Sequence, residues 1–564
     1  MSDPEASREL PKSEVPKDID AKGQSPSEEI FATPANEHFL KQHSYPDLNP
    51  LEYEIRLVHV FKKPGNDLIF CDFLPPQKLT DISKKYCTIS YCAGSAEDTK
   101  PILLQGIEFN VFANLDCALR ETLAYWSTIN AKLACVLWVD QICINQYNDA
   151  ERSHQVKFMK EIYLNSGGTF ICLSTAEADK PGPNALSWFS QRDVHDLTLR
   201  HSSDINLADY VNGWNAFYNL IECPWWSRAW IRQEFACSEI AIFLYQKEAV
   251  QFSELGWLQA LCHLDLHSTI HPRVDRFYGP LPPPAEIEKE MESPTKRQIS
   301  AWESCCTAKD LLFQRSVFEN DSLEYNMDIK KLAMLALDSK ATDPRDKIFC
   351  QLGLAHRGYN IMPNYSKSNT LSRVLIDTAA KIIQFEGNLD ILLYALHLVK
   401  SSSCRLPSWV PDWTSSKTSS FFTLGRLEVL SSLAVNDRTR HDTINLFRFR
   451  GSPEGGENSV LLVRGLRLDI LKGLDKTIAS SKGKHVVLEN GYVVQCRVEA
   501  ELGDEVWLLI GTSCPYILHP TKKGFRLISE VMAPGYHATR QLFFEEKQRR
   551  MHEGLEILKE ISIV

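Results

Sequence analysis

Apolar residues are sparse at the start of the chain and then arrive in blocks of changing period. Residues 1–48 are rich in Pro, Ser, Glu and Lys and poor in aromatics. Such a stretch buries too little apolar surface to offset its ordering entropy, so it reads as a disordered tail. Two β-type runs follow, YEIRLVHVF and LIFCDFL, and the KKPGND between them predicts a hairpin. From Tyr86 strands and helices alternate. YCTIS is a short strand. Residues 113–129 place Leu115, Ala118, Leu119, Leu123 and Trp126 on one helical face. LACVLWVD is an almost unbroken apolar run, as a strand buried on both faces requires, and is expected at the centre of a sheet. DAERSHQVKFMKEIYLNSGG reads as a helix capped by Asp149 and closed near Gly167, and TFICLS is the next strand. After an insertion, Pro224 opens a helix in PWWSRAWIRQEFACS, and EIAIFLY returns as a strand.

This alternation predicts an α/β domain over residues 49–250, built on a mainly parallel sheet. In such sheets ligands sit beyond the carboxyl ends of the strands. Asp140 and the segment after Ser90 fall there. Residues 251–450 read as mainly helical, with a mobile loop near 280–298 in PLPPPAEIEKEMESPTKRQ. Short β-type runs between turns predict a small antiparallel sheet or barrel at 455–540. Residues 541–564 are expected to form a C-terminal helix.

With 564 residues, 44% of them apolar, the chain is long enough for two or three cores. Its formal charge of −10 gives no basic footprint for nucleic acid. The polar amino terminus lacks an apolar signal segment, and no run approaches the roughly 20 apolar residues that span a bilayer. The 16 cysteines are scattered and form no CxxC pair, so no metal site is expected. These features together fit a reduced, cytoplasmic protein.

Three segments carry a family resemblance. YCTISYCAGS (86–95) is similar to an opening strand and turn usually written Y-x-x-L-S-Y-x-W-G, with Ala93 at the Trp position. LWVDQICINQYNDAERSHQVKFMKEIY (137–163) follows an L-W-I-D-x-x-C-I-N-Q…E-R…Q-V-x-x-M-x-x-I-Y block. PWWSRAWIRQEFA (224–236) resembles a closing P-W-x-x-R-x-W-x-x-Q-E segment. In this order and spacing they resemble the fungal heterokaryon incompatibility (HET) domain. DPRDKIFCQLGLA, LPSWVPDW and GDEVWLLIG resemble stretches that often follow it. The resemblance implies self/non-self recognition and regulated cell death, with protein partners or self-association. It also implies a distant likeness to TIR domains and their flavodoxin-like fold. Some TIR proteins cleave NAD with a helix-borne glutamate, and others only assemble. A nucleotide ligand, with NAD as substrate rather than cofactor, is thus one implication; a silent scaffold is the other.

The residues themselves admit chemistry and a structural alternative at each point. Glu234 follows Trp226 and Trp230 at spacing four, which would set all three along one helical stripe. A carboxylate there could stabilise the cation formed as a nicotinamide–ribose bond breaks, with Arg228 and Trp230 beside it. It could equally pair with Arg228 or Arg232. Asp140 could bind ligand hydroxyls or satisfy turn amides. Ser90, Tyr91 and Gly94, in the first strand-to-helix turn, could meet phosphate. Cys143 with His154 offers a thiol nucleophile, against a buried inert thiol.

Overall fold

The computed structural model describes residues 33–130, 132–177, 184–190, 219–255, 310–316, 328–401, 405–415, 447–451, 459–474, 484–497, 499–512, 514–531 and 558–564, with a few isolated positions between them. The loop expected at 280–298 and the first 32 residues lie outside the described residues. Residues 33–48, expected as tail, are ordered. Helix α1 (Pro34–Gln42) is capped by Thr33 and led by Pro34. Its Asn36 acts as a surrogate strand: the amide nitrogen donates to the Asn110 carbonyl at 3.1 Å, and its oxygen accepts from Asn110 N at 2.6 Å. Phe39 is fully buried, its ring 5.2 Å from that of Phe109. One aromatic and one amide in polar surroundings leave no periodic signal, which is why composition alone suggested disorder. Asn36→Ala is expected to cost about 1–2 kcal/mol by unpairing the edge backbone. Denaturant unfolding checks this, and an unchanged midpoint would remove the role assigned to Asn36.

A two-residue pair, β1 (Glu54–Ile55) with β4 (Gln77–Lys78), flanks a nine-stranded sheet. That sheet comprises β2 (Val58–Phe61), β3 (Phe70–Phe73), β5 (Cys87–Tyr91), β6 (Thr99–Leu104), β7 (Ile107–Phe112), β8 (Cys135–Trp138), β9 (Thr169–Cys172), β10 (Ala241–Tyr245) and β11 (Glu248–Gln251). Its order is β11-β10-β9-β5-β8-β2-β3-β6-β7. The LACVLWVD strand, β8, is central, as its two-sided apolar character requires.

The sheet is mixed rather than mainly parallel. Parallel pairing joins β10 to β9, β9 to β5 and β5 to β8, whereas β8 meets the first hairpin antiparallel. A second hairpin, β6–β7, turns through Gln105 and Gly106, both with positive φ. Adjacent left-handed residues match the right-handed twist of a two-residue hairpin turn. Helix α2 (Ala113–Ile129) buries Leu115, Ala118 and Leu119. α3 (Asp149–Lys157) and α4 (Met159–Asn165) replace the single helix expected after Asn148. Asn148, not Asp149, is the cap, accepting from Ala150 N and Glu151 N at 3.1 Å each. Phe158, at φ −116°, separates the two helices.

The next region holds α5 (Ile231–Ala236), then α6 (Ile329–Leu335), α7 (Asp346–Phe349), α8 (Leu371–Glu386) and α9 (Ile391–His397). A second sheet contains β12 (Phe447–Arg450), β13 (Val460–Leu474), β14 (Lys484–Leu488), β15 (Val493–Cys496), β16 (Glu505–Leu509), β17 (Tyr516–Thr521), β18 (Gly524–Glu530) and β19 (Lys559–Ile563). β13 pairs with both β16 and β19, and β19 meets β18, so β13-β16-β17-β18-β19 closes on itself. The C-terminal helix expected at 541–564 therefore ends as a strand. Ile561 and Ile563 alternate inward, and pairing with β13 satisfies a backbone that a lone terminal segment would leave to water. Among the described residues no helix is long and apolar enough to cross a membrane.

Candidate functional site

Ser90 lies in the last turn of pleat of β5, with its Oγ directed at α5. There it donates to Glu234 Oε2 and accepts from Trp225 Nε1 at 2.7 Å. Glu234 is 1% exposed. Its Oε2 also accepts from Arg228 Nη1 at 3.2 Å. Behind it, Ser238 Oγ donates to the Glu234 carbonyl at 2.5 Å and bonds Thr169 on β9. The Arg228 guanidinium carbon stands 5.8 Å from the Tyr91 ring centre. Tyr91 OH donates to Asp140 Oδ1 at 3.2 Å, which accepts from Gln141 N at 2.7 Å as well. Ser90, Tyr91, Asp140, Arg228 and Glu234 are thus joined into one network at the carboxyl ends of β5 and β8.

Two expected members stand apart. Trp230 Nε1 donates to Asp346 Oδ2 at 3.0 Å. Gly94 has φ +84°, and a Cβ there would meet Asn114 Nδ2 at 2.6 Å, so its glycine serves the close approach of α2. Nor do Trp226, Trp230 and Glu234 share a helical stripe. Pro224–Ser227 is a single tight turn, Arg228 is extended, and α5 starts only at Ile231. The cause is a backbone bridge: Lys340 N donates to Ser227 O at 2.5 Å and Ala229 N to Lys340 O at 2.9 Å, taking groups a helix would need. Cys143 and His154 do not meet. Burial pushes the Cys143 thiol up to about 12, and His154 Nε2 lies 2.9 Å from the Pro50 carbonyl.

Electrostatics follow from burial. Desolvation raises the Glu234 carboxyl above its ordinary value; Arg228 and the Ser90 bond oppose this, and Asp140 adds to it. Asp140 is likewise raised by burial against Arg228. One guanidinium therefore serves two carboxyls. It tolerates a buried position because the attraction of Glu234 and Asp140 outweighs its own desolvation and holds the Arg228 pKa above its ordinary value. Trp225 and Ser238 were not legible as partners: an indole in an apolar motif reads as core, and a serine four residues after Glu234 reads as surface. Among the described residues no group of three or more His, Cys, Asp or Glu could hold a metal. Two cavities, one at Ala35, His38 and Gly106 and one at Phe349 and Arg373, lie away from Glu234.

A second cluster joins the sheet domain to the helices after it. Asp346 accepts from Trp230 and from Tyr365 OH. The Arg152 guanidinium carbon is 3.7 Å from the Tyr365 ring centre, and Asp343 pairs with Arg345 and Arg152. Burial, then Asp343, pushes Asp346 up to about 6 against Arg152, Tyr365 and Trp230. A carboxyl raised above its ordinary 3.8 adds stability that is full below that value and is lost as pH rises through about 6. Asp346→Asn can still accept from Trp230 and donate to the Tyr365 hydroxyl. The variant should gain on the wild type as pH climbs from about 4 to 7, read as the difference in melting temperature. A constant difference would contradict this.

Residues 86–234, from the start of the strand that holds Ser90 to Glu234 itself, match the family model "Heterokaryon incompatibility protein (HET)". The chain is 25% identical over 401 residues to heterokaryon incompatibility protein 6, OR allele, of Neurospora crassa, a match covering 62% of this chain and 55% of that protein. The chain thus spans about half the length of the curated relative it matches. No solved structure matches it. The chain carries a fungal-type HET domain, and the segments 86–95, 137–163 and 224–236 are those that the family model covers or abuts.

Proposed function

We propose that this protein acts in heterokaryon incompatibility as a self/non-self recognition component that starts a regulated cell-death response through protein partners or self-association. The observation that carries this reading is the state of Glu234: 1% exposed, with Oε2 shared between Ser90 and Arg228. A carboxylate so enclosed supports the fold of the module and is not presented to a substrate.

A second reading rests on where the network stands. Taken in chain order, the parallel strands β5, β8, β9 and β10 lie side by side as second, first, third and fourth. That order is the flavodoxin-like one, whose ligands bind beyond the strand ends where the order reverses. Ser90, Tyr91 and Asp140 are at those ends, which favours a TIR-like relation and an NAD glycohydrolase using Glu234 once Arg228 swings away. Expression of the full chain and of Glu234→Gln in a fungal host, with growth scored against folded protein level, tests the first reading. Nicotinamide release from NAD by the purified protein tests the second. Growth arrest by folded wild type without nicotinamide release supports the first reading. Release abolished in a folded Glu234→Gln protein supports the second.

A further inference from the structure

Away from the Glu234 network, a cavity of about 250 Å³ opens between α8 and the 361–369 loop. Its size is below the range of roughly 300–1,000 Å³ typical of drug-sized ligands and suits a smaller molecule. The loop is braced from beneath. Arg345 Nη1 donates to the carbonyls of Ser366 at 3.1 Å and Asn369 at 3.0 Å, and Asn369 Nδ2 donates to Asn364 O at 2.7 Å. The walls are therefore set before anything enters.

The floor is apolar, from Phe349, Val374 and Ile361, with one exception. Thr378 is 1% exposed and lines the cavity, yet its Oγ1 has no hydrogen-bond partner. A helical threonine ordinarily returns its hydroxyl to the carbonyl four residues back. Here the group is buried and unmet. At the rim, Lys381 and Asp377 neutralise each other at 3.1 Å, and Lys381 also donates to Asn360 O. Arg373 is left as the surplus charge. Its backbone N–H donates to Thr370 Oγ1, and its guanidinium has no hydrogen bond or ion pair among the described residues.

An apolar floor, one unmet hydroxyl and one unpaired guanidinium are complementary to a single kind of molecule. We propose that this cavity binds a small amphiphilic anion, its carboxylate or phosphate held by Arg373, its apolar body on Phe349 and Val374, and a polar atom on Thr378 Oγ1. Guanidinium recognises both anionic groups through paired N–H donors.

The test is calorimetric titration of the full chain with inorganic phosphate, benzoate and phenyl phosphate, against chloride at matched ionic strength. Benzoate or phenyl phosphate should bind, and inorganic phosphate, which has no apolar body, more weakly. Whichever of the two binds tighter identifies the headgroup. Arg373→Gln should weaken binding by roughly tenfold or more, the worth of a charge-assisted bond. It should fold normally, since its guanidinium supports nothing else. Thr378→Val keeps the shape, so it should weaken binding less and leave melting of the free protein unchanged or raised. No binding of any probe above chloride, or equal binding by wild type and Arg373→Gln, would overturn the proposal. Inorganic phosphate binding as tightly as phenyl phosphate would do the same.

Discussion

Glu234→Gln should melt well below the wild type. The substitution keeps the shape and one acceptor, so Ser90 can still donate. It removes the negative charge facing Arg228, whose side chain is only 16% exposed. Breaking one side of a buried pair costs roughly 3–5 kcal/mol because the partner's charge stays uncompensated. Asp140 remains near Arg228, which places the expected loss at about 3 kcal/mol, the lower end of that range. A loss of 1 kcal/mol lowers the melting temperature by roughly 2–4 °C in domains of this size. Arg228→Met should cost more than Glu234→Gln, because it leaves both Glu234 and Asp140 without their shared counter-charge. Thermal melts of the wild type and of the two single variants give the comparison. If Glu234→Gln melts with the wild type, the enclosed-pair account is wrong and the carboxylate is free for other work.

Arg56→Met should have the largest effect of all. Arg56 is 1% exposed and makes bonds on every side: to Glu151 through both oxygens at 2.5 and 2.9 Å, to Cys143 O at 3.0 Å and to Pro46 O at 2.7 Å. Its guanidinium also stands 5.0 Å from the Tyr45 ring centre. Glu151 in turn accepts from Asn145 N at 2.7 Å. This one guanidinium therefore ties the loop after Asp140 to the first hairpin and to α3. The expected loss is about 4–5 kcal/mol. Arg56→Lys should restore little of it, because an ammonium cannot match a two-pronged carboxylate contact. Hydrogen exchange at Asn145 should quicken in both variants before the sheet core responds, since the anchor of its N–H is lost. Exchange there at the wild-type rate would show that the loop is held by something else.

The sequence by itself determined the alternation of elements from Tyr86 onward. Two-sided burial made LACVLWVD a central strand, and helical spacing made 113–129 a helix with Leu115 and Leu119 inward. Local periodicity reports which side of an element meets apolar surroundings, and that is decided by nearest neighbours in the chain. The same reading placed Asp140 and the segment after Ser90 at the carboxyl ends of the strands, because strand ends and turns are local too, whereas the fold brought Arg228 and Glu234 to them.

Tertiary structure alone decided the rest. Asn36 orders α1 only because the edge of β7 lies beside it, 74 residues away. β19 becomes a strand only because β13 offers an unpaired edge. The sheet is mixed because three hairpins, β2–β3, β6–β7 and β10–β11, add to the parallel strands, and hairpin placement depends on pairing across the fold. Trp230 left the Glu234 network for Asp346, and Lys340 broke the expected helix before Ile231. Each of these is a polar or backbone group finding a partner distant in sequence. A buried polar group must be paired, but nothing in the spacing of residues says with which partner.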